Sequence, residues 1–186
     1  MADLADSITT ENVVTSTSVE QELNLESLND DLDRGEYNPG RFPGLIYRTA
    51  EPKAASLIFR SGEVVTTGAK SEAIANEAVG VLFDDLDDLG VAVPETPSVT
   101  VQNIVSSADL GTPLNLNAIA IGLGLEHIEY EPEQFPGLVY RLEDPSIVLL
   151  LFGSGKLVIT GANRFPDVER ALESAHSTLD ELGLLG

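Results

Sequence analysis

The chain has 186 residues, 42% of them hydrophobic, so it can bury the core of one large domain or of two small joined ones. It has no cysteine, no run near the ~20 apolar residues of a membrane helix and no signal-peptide pattern at its acidic start. We therefore expect a cytoplasmic protein without disulfides or thiolate chemistry. Its 31 acidic and 10 basic residues give a net charge of −21, which by itself argues against nucleic acid as a ligand.

The first elements of the chain are predicted from hydrophobic periodicity and turn residues. A strand is expected over Ile8–Ser16, followed by a short helix over Asn24–Leu32 whose asparagine suits an N-cap. Three closely spaced β segments follow at about 42–49, 54–60 and 63–67, separated by Glu-Pro and Ser-Gly turns.

A long amphipathic helix is predicted next, ending at Gly90. Within it, the DDLDD run at 84–88 is interpreted as a solvated helix face. Apolar residues recur at three- and four-residue steps, as expected of a face that packs on a core. The predicted core positions are Ile74, Ala75, Ala78, Val79, Leu82, Leu86 and Leu89.

The chain then repeats itself. FPGLIY at 42–47 returns as FPGLVY at 135–140, an offset of 93 residues. A unit of about 90 residues is too long for a solenoid and indicates a duplicated domain, with repeats at 1–93 and 94–186. Further matches are LIFRSG at 57–62 with LLFGSG at 150–155, VVTTGA at 64–69 with VITGA at 158–162, and ENVV at 11–14 with QNIV at 102–105.

The second half is predicted to contain the same elements in the same order. Pro166 fits the first turn of its last helix, and Gly183 lies just past the end. The order strand, helix, three strands, helix indicates an α+β fold with an antiparallel sheet that helices cover on one face. The expected elements are strands at 99–107, 135–142, 147–153 and 156–160, and helices at 115–123 and 166–182.

Together these motifs resemble the TATA-box-binding protein family over about residues 8–183. The motifs are ENVV, RFPGLIYR, LIFRSG and TTGAK, repeated as QNIV, QFPGLVYR, LLFGSG and ITGAN. The resemblance implies a two-repeat saddle: one curved ten-stranded antiparallel sheet with four helices on its convex face.

The resemblance also implies a function. Members of the family are known as non-enzymatic general initiation factors that bind and bend A·T-rich promoter DNA in the minor groove, and the resemblance implies the same role here. The implied partners are double-stranded TATA-box DNA, transcription factor B and, indirectly, RNA polymerase. No cofactor, metal or membrane is implied. We expect a cytoplasmic, nucleoid-associated archaeal protein.

The resemblance assigns DNA-binding roles to residues in both repeats. Asn12 and Asn103 would hydrogen-bond minor-groove acceptors near the pseudo-twofold axis. The groove floor would be contacted by Val14, Leu57, Val65, Thr67, Val105, Leu150, Val158 and Thr160. The rings wedged between base steps would be Phe42 with Phe59 and Phe135 with Phe152. The phosphate contacts would be Arg48, Lys53, Lys70 and Arg141.

Minor-groove chemistry agrees with this assignment. A·T pairs present only acceptors there, whereas the guanine amino group would collide with a closely packed apolar floor. Opening a base step costs a few kcal/mol, which large rings can offset and flexible TA steps reduce.

The placement of charge also agrees with DNA binding. Seven of the ten basic residues fall in the strand-rich stretches: Arg41, Arg48, Lys53, Arg60, Lys70, Arg141 and Lys156. Acidic residues concentrate in the helices of the first half. A strongly acidic folded surface is what a halophile's cytoplasm favours, where ~1 M salt shortens the screening length to about 3 Å.

The sequence departs from the family pattern at four places. Glu63 stands where the family has lysine, although Lys156 retains it in the other half. Asn163 replaces the lysine of the second TGAK motif, and Glu11 replaces a glutamine. The short helix of the second half ends in a loose Gly122-Leu123-Gly124. The two lost lysines leave the salt response of DNA binding open.

Two other functions remain as alternatives. A saddle-fold adaptor for protein interactions, without DNA binding, would fit the acidic charge and the lost lysines. A catalyst or small-ligand binder would use Glu131 and Glu133 as paired carboxylates. In the family, however, their segment EPEQFPG (131–137) resembles the stirrup loop that contacts transcription factor B. This assigns Glu131, Glu133 and Gln134 to partner binding.

Overall fold

A computed structural model describes residues 3–144 and 146–186. The described residues form ten strands and four α-helices, and the strands make one antiparallel sheet in the order β2-β3-β4-β5-β1-β6-β10-β9-β8-β7. The predicted α+β class, the ten-stranded antiparallel sheet and the four helices are confirmed. Residues 12–102 make up one compact unit, and residues 103–186 with the N-terminal residues through Glu11 make up the other.

The first half of the chain opens with a short 3₁₀ helix at Leu4–Ser7, which the sequence did not predict. The elements that follow are β1 (Thr9–Ser18), α1 (Leu25–Asp31), β2 (Gly35–Tyr37), β3 (Leu45–Thr49), β4 (Ala54–Ile58), β5 (Glu63–Ala69) and α2 (Glu72–Asp88).

The second half repeats this order. Its elements are β6 (Thr100–Asp109), α3 (Leu116–Leu123), β7 (Ile128–Glu129), β8 (Leu138–Leu142), β9 (Ile147–Leu151), β10 (Lys156–Ala162) and α4 (Phe165–Glu181).

Helix ends follow the predicted signals. The Asn24 side chain accepts a 3.1 Å hydrogen bond from the Ser27 N–H, and Asn115 caps α3 in the same way. Proline stands in the first turn of α4, as predicted. Gly90 and Gly183 adopt positive φ angles of 85° and 69° directly after the C-caps of α2 and α4.

The core of each unit lies between its helices and one face of its strands. In β4 and β5, alternate residues such as Ile58 and Val64 are fully buried, while Leu57 and Val65 are half-buried. α2 packs against β3, β4 and β5 and contributes Ala75, Ala78, Val79, Leu82, Phe83 and Leu86 to the buried set. In the second half α4 packs against β10. The alternation therefore leaves one face of the strands without a helix within each unit.

Several boundaries and core assignments differ from the predictions. Leu89 was predicted to be in the core, but it is the C-cap of α2 and 40% exposed. Phe83, which was not predicted, fills the core instead. β3 and β8 begin three residues later than expected, because the Phe-Pro-Gly segments form turns before them.

One aspartate of the DDLDD run has a structural role, so that run is not only a solvated face. The hydroxyl of Tyr47, a fully buried side chain of β3, donates a short hydrogen bond to the Asp85 carboxylate. Burial, and then this bond, hold the pKa of Tyr47 well above its ordinary value. Asp85 thereby ties α2 to the sheet within the first unit.

Candidate functional site

The helix-free face of the first unit carries an apolar row across three strands, which ends beside a serine of a fourth. Leu57 of β4 pairs in register with Ile46 of β3 and with Val65 of β5, which in turn pairs with Ser16 of β1. All four side chains are half-buried although no helix covers them. The structure therefore places the predicted floor residues Leu57 and Val65 side by side.

The second unit repeats this row. Leu150 pairs with Val139 and with Val158, and Val158 pairs with Ser107. Ile46 and Val139 were not among the predicted site residues, although each alternates with buried neighbours in its strand. That alternation was the signal that could have found them. The remaining predicted floor residues, Val14, Thr67, Val105 and Thr160, are also half-buried.

A hydrogen-bonded asparagine stands beside the apolar row of the first unit. The Asn12 Oδ1 accepts a 2.7 Å bond from the Gly68 N–H, and its Nδ2 donates to the Thr67 Oγ1 at 3.0 Å. The register of β1 and β5 shifts at this point, and Gly68 has a φ of 88°, which favours glycine. The bulge thus turns a backbone N–H toward the asparagine and fixes its amide.

Asn103 has the same environment in the second unit. Its Oδ1 accepts a 2.7 Å bond from the Gly161 N–H, and its Nδ2 donates to the Thr160 Oγ1 at 3.1 Å. In both cases the carbonyl oxygen is engaged by a backbone donor while one N–H of the amide nitrogen remains. Each asparagine can therefore offer a hydrogen-bond donor to a ligand.

Each unit also carries a pair of phenylalanine rings near the ends of its strands. The rings of Phe42 and Phe59 lie 5.8 Å apart at 65°, and those of Phe135 and Phe152 lie 5.9 Å apart at 72°. Both pairs are in the edge-to-face arrangement that aromatic rings prefer. Phe135 is 40% exposed, so the second pair leaves one large apolar ring at the surface, while the other three rings are half-buried.

The two predicted arginines are both ion-paired. Arg48 contacts Glu36 of β2 at 3.1 Å, and Arg141 contacts Glu129 of β7 at 3.5 Å. Each carboxylate sits on the strand next to its arginine, and all four side chains are more than half exposed. A stronger anion can therefore compete for either guanidinium. The predicted phosphate ligands Lys53 and Lys70 are exposed as well.

The predicted stirrup loop, residues 131–137, is a tight turn. The backbone N–H groups of Gln134 and Phe135 both donate to the Glu131 carbonyl, at 2.9 and 3.0 Å. Glu131, Glu133 and Gln134 are all exposed. The turn presents this polar group directly beside the Phe135 ring.

Metal sites and membrane-spanning helices are absent from the described part of the chain. Among residues 3–144 and 146–186, no group of three or more His, Cys, Asp or Glu side chains could hold a metal ion. Within the same ranges, no helix is long and apolar enough to cross a membrane.

The fold and the site define a class: a duplicated α+β protein whose repeats each carry an apolar row, a fixed asparagine and an aromatic pair on a helix-free sheet face. The family described as transcription factor TFIID, or TATA-binding protein, TBP, matches residues 7–89 and 98–182. The chain belongs to this family. Its membership confirms the predictions of the family and of a transcription factor with no enzymatic activity.

Relatives of known name are similar to this chain over its full length. The chain is 61% identical over 186 residues to TATA-box-binding protein 2 of Haloferax volcanii, and 63% identical over 185 residues to TATA-box-binding protein F of Halobacterium salinarum, with 100% of each chain covered. The solved structure of Methanococcus jannaschii TBP is 49% identical, with a TM-score of 0.86, covering 94% of this chain and 99% of that one. The predicted kinship with haloarchaeal proteins is confirmed.

Proposed function

We propose that this chain is a general initiation factor that binds A·T-rich TATA promoter DNA through the minor groove, bends it and recruits transcription factor B. The observation that carries the proposal is that the same set of side chains occurs twice on the helix-free face, once in each repeat. Each repeat offers an apolar row, an amide donor and an aromatic pair. Such a surface suits a ligand that is itself nearly twofold symmetric, as duplex DNA is. We place the repeat boundary between residues 93 and 94.

The two asparagines would read the groove as donors. The backbone N–H groups of Gly68 and Gly161 already donate to the amide oxygens of the two asparagines. The remaining N–H of each amide can therefore bind a hydrogen-bond acceptor of the DNA, but the amide oxygen is not available to a donor. At A·T pairs the minor groove offers adenine N3 and thymine O2, which are both acceptors. A G·C pair adds the guanine amino donor, which finds no acceptor here and would press against the apolar rows. A·T steps are therefore preferred.

The aromatic pairs would act as wedges between base steps. Unstacking a step costs a few kcal/mol, and a ring pair can offset this by filling the opening with apolar surface. TA steps unstack at least cost, so the same rings add to the preference for A·T-rich sites. Kinks at two places bend the duplex.

The cations would contact the phosphates that flank the groove. Arg48 and Arg141 would exchange their carboxylates for phosphate oxygens, with Lys53 and Lys70 as further contacts. An ion pair between an exposed arginine and an exposed carboxylate is worth about 0–1 kcal/mol, so breaking it costs little free energy.

Partner binding would use the second stirrup loop. Glu131, Glu133 and Gln134 are exposed beside the ring of Phe135, so a basic surface on transcription factor B can reach them without competing for the apolar row. RNA polymerase would then be recruited through transcription factor B, in the cytoplasm at the nucleoid.

A binding assay tests the proposal directly. Fluorescently labelled TATA and scrambled duplexes are titrated with the protein in ~0.3 to 2 M potassium chloride, a range in which screening lengths are about 2–6 Å. We expect tighter binding to the TATA duplex, and loss of that preference when Leu57 and Leu150 are both changed to glutamate. Glu77→Gln on the exposed face of α2 is the control. Equal binding to both duplexes at every salt concentration would overturn the proposal.

A second function, protein-interaction adaptor, is favoured by the charge of −21 and by Glu63 and Asn163 at family lysine positions. In that case the protein would bind transcription factor B in the absence of DNA and show no duplex binding in the same assay.

A further inference from the structure

The last residue of each Phe-Pro-Gly segment lies directly under an aromatic pair. Gly137 is buried, and a Cβ built on it would lie 2.7 Å from the Phe135 Cε1 and 3.0 Å from the Phe152 Cε1. The first distance is shorter than Cβ contacts in folded proteins, so the Phe135 ring would have to move, and the second is tight enough that the Phe152 ring would have to give by a few tenths of an ångström. The φ of Gly137 lies outside the left-handed region, so the backbone does not require glycine there. The glycine is required because the two rings occupy the space that a Cβ would need.

Gly44 has the same position in the first repeat, with less crowding from the rings. A Cβ there would lie 2.8 Å from the Phe42 Cε1 and 3.2 Å from the Phe59 Cε1. At both glycines one ring would have to move and the second would have to give, but both ring distances are shorter at Gly137. At Gly44 the Ile58 carbonyl oxygen would also lie 3.2 Å from the Cβ. Because both units have this contact between a glycine and a ring pair, the contact is a feature of the aromatic pair and not of one local turn.

We infer that Gly137, and to a lesser degree Gly44, are positioning residues that seat the aromatic pair in its edge-to-face geometry. The inference rests on the proposed function, because the seated rings are the proposed wedges. A methyl group at position 137 would lift the rings off the sheet and change the angle between them. The two rings should already hold their relative geometry before they enter a base step, because fixing their rotamers during binding would lower the affinity.

The test compares Gly137→Ala with Gly153→Ala. Position 153 follows Phe152, and a Cβ there has its nearest neighbour, the Leu114 carbonyl oxygen, at 3.8 Å. Ring contacts in the free protein are read from nuclear Overhauser effects between Phe135 and Phe152. Bending of a TATA duplex is read by fluorescence energy transfer, and rates by stopped flow.

For Gly137→Ala we expect altered ring contacts, reduced bending, an association rate within about threefold of wild type and dissociation about tenfold faster. For Gly153→Ala we expect wild-type values throughout, and for Gly44→Ala an intermediate effect on its own ring pair. Wild-type ring contacts and bending in Gly137→Ala would overturn the inference.

A double variant keeps the test decisive if Gly137→Ala folds poorly. When Phe135 is first changed to alanine, the further change Gly137→Ala should alter dissociation less than about twofold, because the ring with the shortest contact to position 137 is gone. Additive effects of the two changes would also overturn the inference. If wild type does not bend TATA duplexes, the proposed function fails, while the ring contacts in the free protein still report whether Gly137 seats the pair.

Discussion

The side chain of Asn12 and the backbone of Gly68, 56 residues apart in the chain, are joined by a 2.7 Å hydrogen bond that fixes the direction of the amide. Asn12→Asp would preserve this bond, since a carboxylate oxygen can also accept from the Gly68 N–H. It would remove the only donor that the side chain offers to DNA and add a negative charge. We expect TATA affinity to fall by about tenfold or more, the equivalent of one lost hydrogen bond to a buried acceptor.

Fluorescence anisotropy with a TATA duplex measures this effect. Asn76→Asp on α2 adds the same charge at an exposed position away from the sheet and serves as the control. Equal affinities of Asn12→Asp and Asn76→Asp would show that the amide of Asn12 donates nothing to the DNA.

Removing an aromatic pair should reduce the bend angle of the DNA more than it reduces the rate of association. Phe42→Ala with Phe59→Ala, or Phe135→Ala with Phe152→Ala, leaves the cations that steer association but removes the groups that hold a base step open. The bend angle from fluorescence energy transfer should decrease, while the association rate stays within about threefold. Unchanged bending at wild-type affinity would exclude these rings as wedges.

Glu131 and Glu133 should matter for the protein partner and not for DNA. Changing both to alanine removes two exposed carboxylates from the second stirrup loop, so recruitment of transcription factor B to the promoter complex should weaken in a mobility-shift assay. The DNA-only shift should remain. Glu169→Ala with Glu173→Ala on α4 removes equal charge elsewhere. If the loop variant loses DNA binding first, the assignment of this loop to the partner is wrong.

The Tyr47–Asp85 hydrogen bond should be visible in the stability of the protein. Tyr47→Phe removes a donor to a charged acceptor, and we expect it to cost about 1.5–3 kcal/mol of unfolding free energy at neutral pH. Tyr140→Phe is the matched control, since Tyr140 occupies the equivalent position and Thr178 stands where the first repeat has Asp85. Denaturant unfolding in molar salt measures both.

The Tyr47–Asp85 hydrogen bond also predicts how the stability of the protein depends on pH. The pKa of Tyr47 is raised in the folded protein, so the unfolded chain loses this proton first as the pH increases. Its contribution is therefore complete below the ordinary tyrosine pKa of about 10 and declines above it. The difference in stability between wild type and Tyr47→Phe should shrink as the pH rises beyond about 10. A constant difference across that range would show that the hydroxyl is not the group responsible.

Salt should affect DNA binding in an unusual way. Phosphate contacts normally make affinity fall with salt, with a logarithmic slope of roughly −0.9 per neutralised phosphate. Here the net charge is −21 and an exposed glutamate occupies position 63, so cations must enter between like charges when DNA binds. That uptake opposes counterion release, and the apolar rows are not screened by salt. We expect TATA affinity to hold or rise between about 0.3 and 2 M potassium chloride, where the screening length falls from about 6 Å to about 2 Å.

Dissociation constants across this range, with circular dichroism at each point to confirm folding, measure the effect. A steep loss of affinity by the folded protein would contradict the expected adaptation to high salt and leave the family membership standing.

Much of the fold could be predicted because its long elements repeat a clear period. The core face of α2 follows three- and four-residue steps, and the duplicated motifs indicate each of the longer strands in both halves. β2 and β7, with three and two residues, are too short to show any alternation, so residue patterns alone did not reveal them. Leu89 was wrongly assigned to the core, because it continues the apolar period one residue beyond the helix.

The site was predictable in its residue types and less so in its contacts. The repeat singled out Asn12 and the phenylalanines, but the bond to Gly68 depends on a bulge between distant strands, which no local pattern encodes. The ion pairs of Arg48 and Arg141 likewise depend on the register of β2 and β7. Gly44 and Gly137 were visible in the Phe-Pro-Gly motif, yet only the packing of the rings shows why glycine is needed.

The brevity of β2 and β7 has a consequence for solubility. These are the outer strands of the sheet, and an outer strand offers unpaired backbone groups to which another chain can add. Acidic side chains would deter such addition in dilute buffer, but in molar salt their repulsion reaches only about 3 Å. Two or three residues give an incoming strand too few hydrogen bonds to hold it. At high salt, therefore, it is the length of these strands rather than their charge that protects the protein from aggregating edge to edge.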